Sequence, residues 1–164
     1  MLRCNNKEKE MNKIEEFFKE VNVEIPEHLK IKNNLEAVKQ NGNVIKNIEN
    51  PSKEIQKAAV KQNGLSIQYI KNPSEEIQKI AVTQNGSAIC FIKNPSEEVK
   101  KHAVERNGDA IEYIAFPSEE LRKLAVTQSG LSIRYIQNPS EEVMKLAAKQ
   151  NKDSAKYFKK EWFE

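Results

Sequence analysis

The sequence predicts an all-α fold, an α-solenoid in which 22-residue, two-helix repeats stack in a superhelix between helical end caps. Three observations predict it. Pro51, Pro73, Pro95, Pro117 and Pro139 fall 22 residues apart, and so do Gly42, Gly64, Gly86, Gly108 and Gly130, which are all the glycines of the chain. Tyr69, Tyr113, Tyr135 and Tyr157 occupy one position of the same frame, with Phe91 filling the remaining slot. Within each unit the apolar residues follow a helical period, and one unit alone is too small to bury them.

In chain order, residues 1–10 read as a polar tail with few apolar anchors. Residues 11–28 read as an amphipathic capping helix whose Ile14, Phe17, Phe18 and Val21 cover the first unit. Residues 29–50 hold a degenerate repeat, recognisable from Ala37 to Ile48. Five full repeats span 51–160, and residues 161–164 form an aromatic end.

Each unit reads as two short helices. The Asn-Pro-Ser-Glu-Glu opening offers a cap, a proline at the first helical position and carboxylates in the first turn. With Asn72 as the cap, Glu75 completes a capping box; Phe116 replaces that asparagine before Pro117, which shifts the cap there to Ser118. A first helix of about three turns ends at Asn-Gly, where the glycine is expected to turn left-handed. A second helix of about two turns follows, as from Leu65 to Lys71. In the first helix Ile77, Ile80 and Ala81 share a stripe, and Val82 lies about 100° round from Ala81. A helix apolar on two sides has neighbours on two sides. At about 8–10 Å per helix layer the stack extends to roughly 50 Å.

The units resemble a helical repeat known as domain of unknown function 4116, through the Ala-Val-x-Gln-Asn-Gly core and the Ile-x-Tyr-Ile helix, over residues 37–160. The resemblance transfers no catalytic residue. It implies an interaction scaffold, of a kind frequent in phage and bacterial proteins. Together with the small size of the chain it extends to a phage product that blocks a host defence complex, such as a CRISPR nuclease, in the host cytoplasm.

Composition narrows the classes. The net charge is +3, from 27 basic and 24 acidic residues, too mild to mark a nucleic-acid binder by itself. Cys4 and Cys90 lie far apart and build neither a disulfide framework nor a zinc site, which favours a reducing, cytoplasmic setting. The first ten residues lack the apolar core of a signal peptide, and no apolar run reaches the roughly 20 residues of a membrane span.

No enzyme constellation stands out: neither catalytic residues, nor a metal set, nor a cofactor loop. The acidic pairs, such as Glu75-Glu76, recur at helix starts, where the helix dipole favours them. His102 fills a slot held elsewhere by Ala58, Ile80, Leu124 and Leu146 and reads as a partly buried histidine; His28 has no companion at ligand spacing. Cys90 replaces Gln68, Glu112, Arg134 and Lys156 and reads as exposed. The lysine column Lys57, Lys79, Lys101, Lys123 and Lys145 reads as a solvated row balancing glutamates; the alternative is a row that follows phosphates. The glutamine column, Gln40, Gln62, Gln84, Gln128 and Gln150, varies too little to read bases and reads as inter-repeat hydrogen bonding.

Positions that change from unit to unit are free to serve a partner. The middle unit departs most: Glu105, Asp109 and Glu112 surround its turn beside Arg106, and Ala115 and Phe116 replace the usual Lys-Asn. With Arg134 on a basic shoulder, this acidic centre is the first candidate surface for a protein partner, against a reading of neutral drift. Trp162 and Phe163 are the second, as interface anchors or as a lid on the last repeat. A nucleic-acid partner held by the lysine rows is the rival reading. Exposed repeat ends also allow oligomers.

Overall fold

The computed structural model describes residues 27–158, together with Glu16 and Lys19, which are helical and exposed. The remainder of the expected capping helix, the polar tail and the aromatic end, including Trp162 and Phe163, lie outside the described residues. Six α-helices follow: α1 (Glu27–Gln40), α2 (Lys53–Gln62), α3 (Glu75–Gln84), α4 (Glu97–Arg106), α5 (Glu119–Gln128) and α6 (Glu141–Gln150). Each is followed by a short helix: η1 (Gly42–Asn47), η2 (Gly64–Tyr69), η3 (Gly86–Phe91), η4 (Gly108–Tyr113), η5 (Gly130–Tyr135) and η6 (Lys152–Tyr157). The described residues contain no strand. Each α-helix packs on the next α-helix and each short helix on the next short helix, so the units form two parallel layers stacked in sequence order.

The second helices are six-residue 3-10 helices rather than two α-turns. The tighter winding has a local cause. Asn63 is extended and serves twice, as C-cap of α2 and N-cap of η2. Its N–H donates to Ala59 O at 2.8 Å, and its Oδ1 accepts from Leu65 N–H at 3.1 Å. Ile70 N–H closes the far end on Ile67 O, which leaves no room for another turn.

The α-helices start differently from expectation. Serine is the N-cap in every full unit: Ser52, Ser96, Ser118 and Ser140 each accept from the backbone N–H three residues on, and Ser74 holds the same geometry without that bond. The proline therefore precedes the cap, Glu75 is the first helical residue, and no Asn72–Glu75 capping box forms. Asn50, Asn72, Asn94 and Asn138 instead take the left-handed region, with φ between 47° and 51°, which turns the chain from one unit to the next. Asparagine tolerates that region better than most residues. Two of the proline carbonyls accept from glutamine side chains: Gln56 and Gln78 donate to Pro51 O and Pro73 O at 2.8 and 2.9 Å.

No glycine has a positive φ, so their expected left-handed role is corrected. Their requirement is space. A Cβ on Gly64 would lie 2.4 Å from Ala81 O of the next unit, and one on Gly86 2.5 Å from Ala103 O. The close approach also lets the Gly64 N–H donate to Gln84 Oε1 at 2.7 Å. Lys152 takes the glycine position in the last described unit, where no following α-helix of the described residues approaches.

The core is one continuous row. Ile77, Ala81 and Val82 are buried, as are Ile55, Ala59 and Val60 before them and Val99, Ala103 and Val104 after them. Val82 completes a face against the next unit, as its place on the helix requires. Ile80 is only half-buried, on the outer edge of the stripe. Ile67, Ile89, Ile111 and Ile133 carry the short helices into the same core.

Candidate functional site

The stack consumes much of the polar surface before a partner is considered. In the lysine column, Lys57 pairs with Glu76 at 2.6 Å and Lys123 with Glu142 at 2.7 Å, each across a junction, and Lys79 reaches Glu98 in the same way. Lys101 and Lys145 pair within their own helices, with Glu105 and Glu141. Hydrogen bonding from Lys57 holds the Glu76 carboxyl below its ordinary range, and Lys79 does the same for Glu98. The solvated-row reading is the one these pairs fit.

The glutamine column is structural at three junctions. Gln62, Gln84 and Gln150 each accept from the glycine N–H of the preceding unit, at 2.7, 2.7 and 2.6 Å.

The acidic residues of the middle unit separate into three environments. Asp109, in the first turn of η4, pairs with Arg134 Nη2 of η5 at 2.7 Å, and its other oxygen accepts from Ser132 Oγ. Both side chains are only 33% exposed. Arg134 stacks over Tyr135, its guanidinium carbon 4.7 Å from the ring centroid. Hydrogen bonding to Tyr157 leads the influences that raise Arg134 above its ordinary value. Asp109 and Arg134 are therefore brought together as a strut between two units. Glu105 is exposed at the end of α4, 3.4 Å from His102 Nδ1 and 3.9 Å from Lys101 Nζ. Arg106 is exposed and stands where the other units have glutamine. Glu112 is exposed on η4, and its charge is the main influence raising the Tyr113 phenol.

His102 is half-buried, as read from its slot. Cys90 is exposed, and partial burial of its sulfur pushes the thiol up rather than toward a reactive thiolate. Among the described residues no group of three or more His, Cys, Asp and Glu side chains gathers as metal ligands would, and no helix is long and apolar enough to cross a membrane.

The surface that sequence reasoning missed is aromatic. The tyrosine column is divided: Tyr69, Phe91 and Tyr113 are 39%, 44% and 48% exposed along the edge of the 3-10 layer, whereas Tyr135 and Tyr157 are half-buried against the core. Phe116, in the turn after η4, is 98% exposed and has φ 52°. It occupies the left-handed position that asparagine fills in every other unit. A bulky side chain there costs about 1–2 kcal/mol of backbone strain, and full exposure returns no burial for it. The signal was present in the sequence, since Phe116 breaks the Asn-Pro pattern. It was read as part of the acidic departure rather than as the centre of an aromatic one.

Residues 52–96, from the cap of one repeat to the cap of the next but one, match the family described as Domain of unknown function (DUF4116). No curated protein and no solved structure matches the chain.

Proposed function

We propose that this chain of helical repeats is a non-enzymatic scaffold that binds a folded protein partner through the aromatic edge of its 3-10 layer, with Phe116 as the anchor. Phe116 carries the reading. A fully exposed phenylalanine in a left-handed backbone gives the isolated chain nothing and costs it strain, so its benefit lies in a complex. A protruding ring needs a concave apolar receptor, which a folded protein supplies. Phe91 and Tyr113 extend the apolar area in the middle of the stack, and Glu112 gives it a charged neighbour.

The acidic-centre idea survives here in reduced form. Glu112 and Glu105 remain exposed, whereas Asp109 and Arg134 are engaged with each other. Nucleic acid is the less favoured partner, because most of the lysine column is matched by glutamates and the Phe116 region carries an acid beside it.

The test is Phe116→Asn, which restores the residue of the other units. The variant should melt higher than wild type by a few degrees, from about 1 kcal/mol of relieved strain. In capture from a bacterial host lysate it should lose the stoichiometric protein that wild type retains at low and moderate salt. Equal capture by the variant would overturn the assignment. Recovery of a defence nuclease among the lost proteins would support the narrower form, a phage-encoded blocker of such a complex.

A further inference from the structure

On the α layer the column from Lys57 to Lys145 is matched by carboxylates. On the 3-10 side, Lys46 and Lys71 converge on one groove of about 660 Å³ at the junction of η1 and η2, and neither makes an ion pair among the described residues. The groove is walled by Tyr69, Ile48 and Ile70, and Glu49 stands at its rim. Asn47 occupies the position that Tyr69 and Phe91 hold in the next two units. In the repeat frame Lys93 follows Lys71 one unit further on, so the basic side chains continue along the stack beside Phe91.

We infer that this groove docks an acidic, extended peptide segment of a partner protein, its carboxylates received by Lys46 and Lys71 and an apolar side chain laid against Tyr69. The spacing suits a peptide. Neighbouring helices stack about 8–10 Å apart, and an extended chain advances about 3.3–3.6 Å per residue, so every third residue meets a new unit. A carboxylate three residues beyond the one received by Lys71 would meet Lys93, its counterpart 22 residues on, while Lys46 lines the same groove as Lys71. Charge complementarity separates this ligand from a nucleic acid: Glu49 lines the same groove, and a peptide can place a neutral residue beside it where a continuous phosphate chain cannot. The two ammonium groups, unpaired among the described residues, attract carboxylates without having to break a described pair.

The inference rests on the reading of the chain as a protein binder but not on Phe116. The experiment is a fluorescence anisotropy titration of the full chain with a labelled peptide of repeated Glu-Leu-Ser, a Lys-Leu-Ser control and a single-stranded oligothymidylate. Wild type should bind the glutamate peptide and not the lysine peptide. The double variant Lys46→Glu, Lys71→Glu should weaken binding about tenfold or more, as expected for reversing two contacting charges. The variant Lys61→Glu, Lys149→Glu removes two unpaired lysines from the α layer with the same change in net charge, and should bind as wild type does. Phe116→Asn should also bind normally, so this proposal and the anchor proposal fail separately. Equal loss in both lysine variants, no binding of the glutamate peptide, or tighter binding of the oligonucleotide than of the peptide would each overturn the inference.

Discussion

One substitution made at equivalent positions should change stability in opposite directions. Ser66, Ser132 and Ser154 occupy the same place in their 3-10 helices, and all three are fully buried. Ser66 Oγ donates to Asn43 Oδ1 of the preceding unit at 2.8 Å, and Ser132 Oγ donates to Asp109. The corresponding partner of Ser154, 23 residues earlier, is Leu131, which cannot accept, and Ser154 Oγ has no hydrogen-bond partner among the described residues. Ala88, whose counterpart is Leu65, shows the consistent solution, with no hydroxyl to satisfy. A buried unpaired hydroxyl costs about 1–3 kcal/mol, whereas a bond to a carboxylate contributes about 1.5–3 kcal/mol. Ser154→Ala should therefore stabilise by about 1 kcal/mol or more and Ser132→Ala should destabilise by about 2 kcal/mol. For a chain of this size each kcal/mol moves the melting temperature by about 2–4 °C. Thermal melts followed by circular dichroism would read both, and Ser66→Ala should fall below wild type by less than Ser132→Ala. A loss in Ser154→Ala comparable to that in Ser132→Ala would refute the reasoning, because it would mean that Ser154 has a partner.

Gly86→Ala should cost about 3 kcal/mol or more, because its Cβ would meet a backbone carbonyl that cannot move alone, whereas Lys152→Ala should be near neutral in the same melts. The carboxyls of Glu76, Glu98 and Glu141 are held below their ordinary 4.5, chiefly by hydrogen bonds from Lys57, Lys79 and Lys145. Their contribution is present above the ordinary value and is lost as pH falls through the lowered one. Hydrogen bonds to Glu98 and Glu142 raise Lys79 and Lys123 above 10.5, so their contribution is present below that value and is lost as pH rises through the raised one. Melting temperature should thus be flat between the two limits and fall at both ends, by amounts that shrink in about 0.5 M salt because these pairs are exposed.

The period, the two-layer unit and the buried stripe were legible because each is written five times in the sequence, and repetition averages out local ambiguity. The roles of single residues inside the unit were less legible. Glycine after asparagine reads as a left-handed helix stop, and that reading fails because the constraint on Gly64 is Ala81 O, a contact with the next unit that no window around residue 64 contains. The asparagine before proline reads as a cap, yet Ser74 is better placed, and Asn72 is needed for its tolerance of positive φ. The acidic centre was half legible. Glu105, Asp109 and Glu112 lie near one turn in sequence, but only the stacked structure shows that Asp109 is spent on Ser132 and Arg134. The aromatic column was seen and its exposure was not, since a regular aromatic position is more often core than surface.

The polar bonds across the junctions show where the stack has given up cohesion. From α2 to α3 the α side is bridged by Lys57–Glu76 and by Gln84 to Gly64; from α3 to α4, by Lys79–Glu98 and by Ser96 to Glu75. From α5 to α6 it is bridged by Lys123–Glu142, Gln150 to Gly130 and Ser140 to Glu119. From α4 to α5 none of the three equivalents forms among the described residues: Lys101 turns to Glu105, Glu97 to Lys100, and Gln128 does not reach Gly108. That junction keeps its apolar core, with Val99, Ala103 and Val104 against Leu121 and Ala125. Its polar link is displaced to the other layer, where Asp109 holds Ser132 and Arg134. The turn that crosses this junction is the one that carries Phe116. Neighbour-only coupling makes such a concession local, since a weakened junction in a solenoid leaves the units on either side with their own contacts. The unit that bears the strained, exposed ring is thus also the one whose α-side polar bonds to the next unit are absent among the described residues and whose 3-10 side is held by Asp109 beside the aromatic edge. That is the side on which a bound partner would need the surface held still.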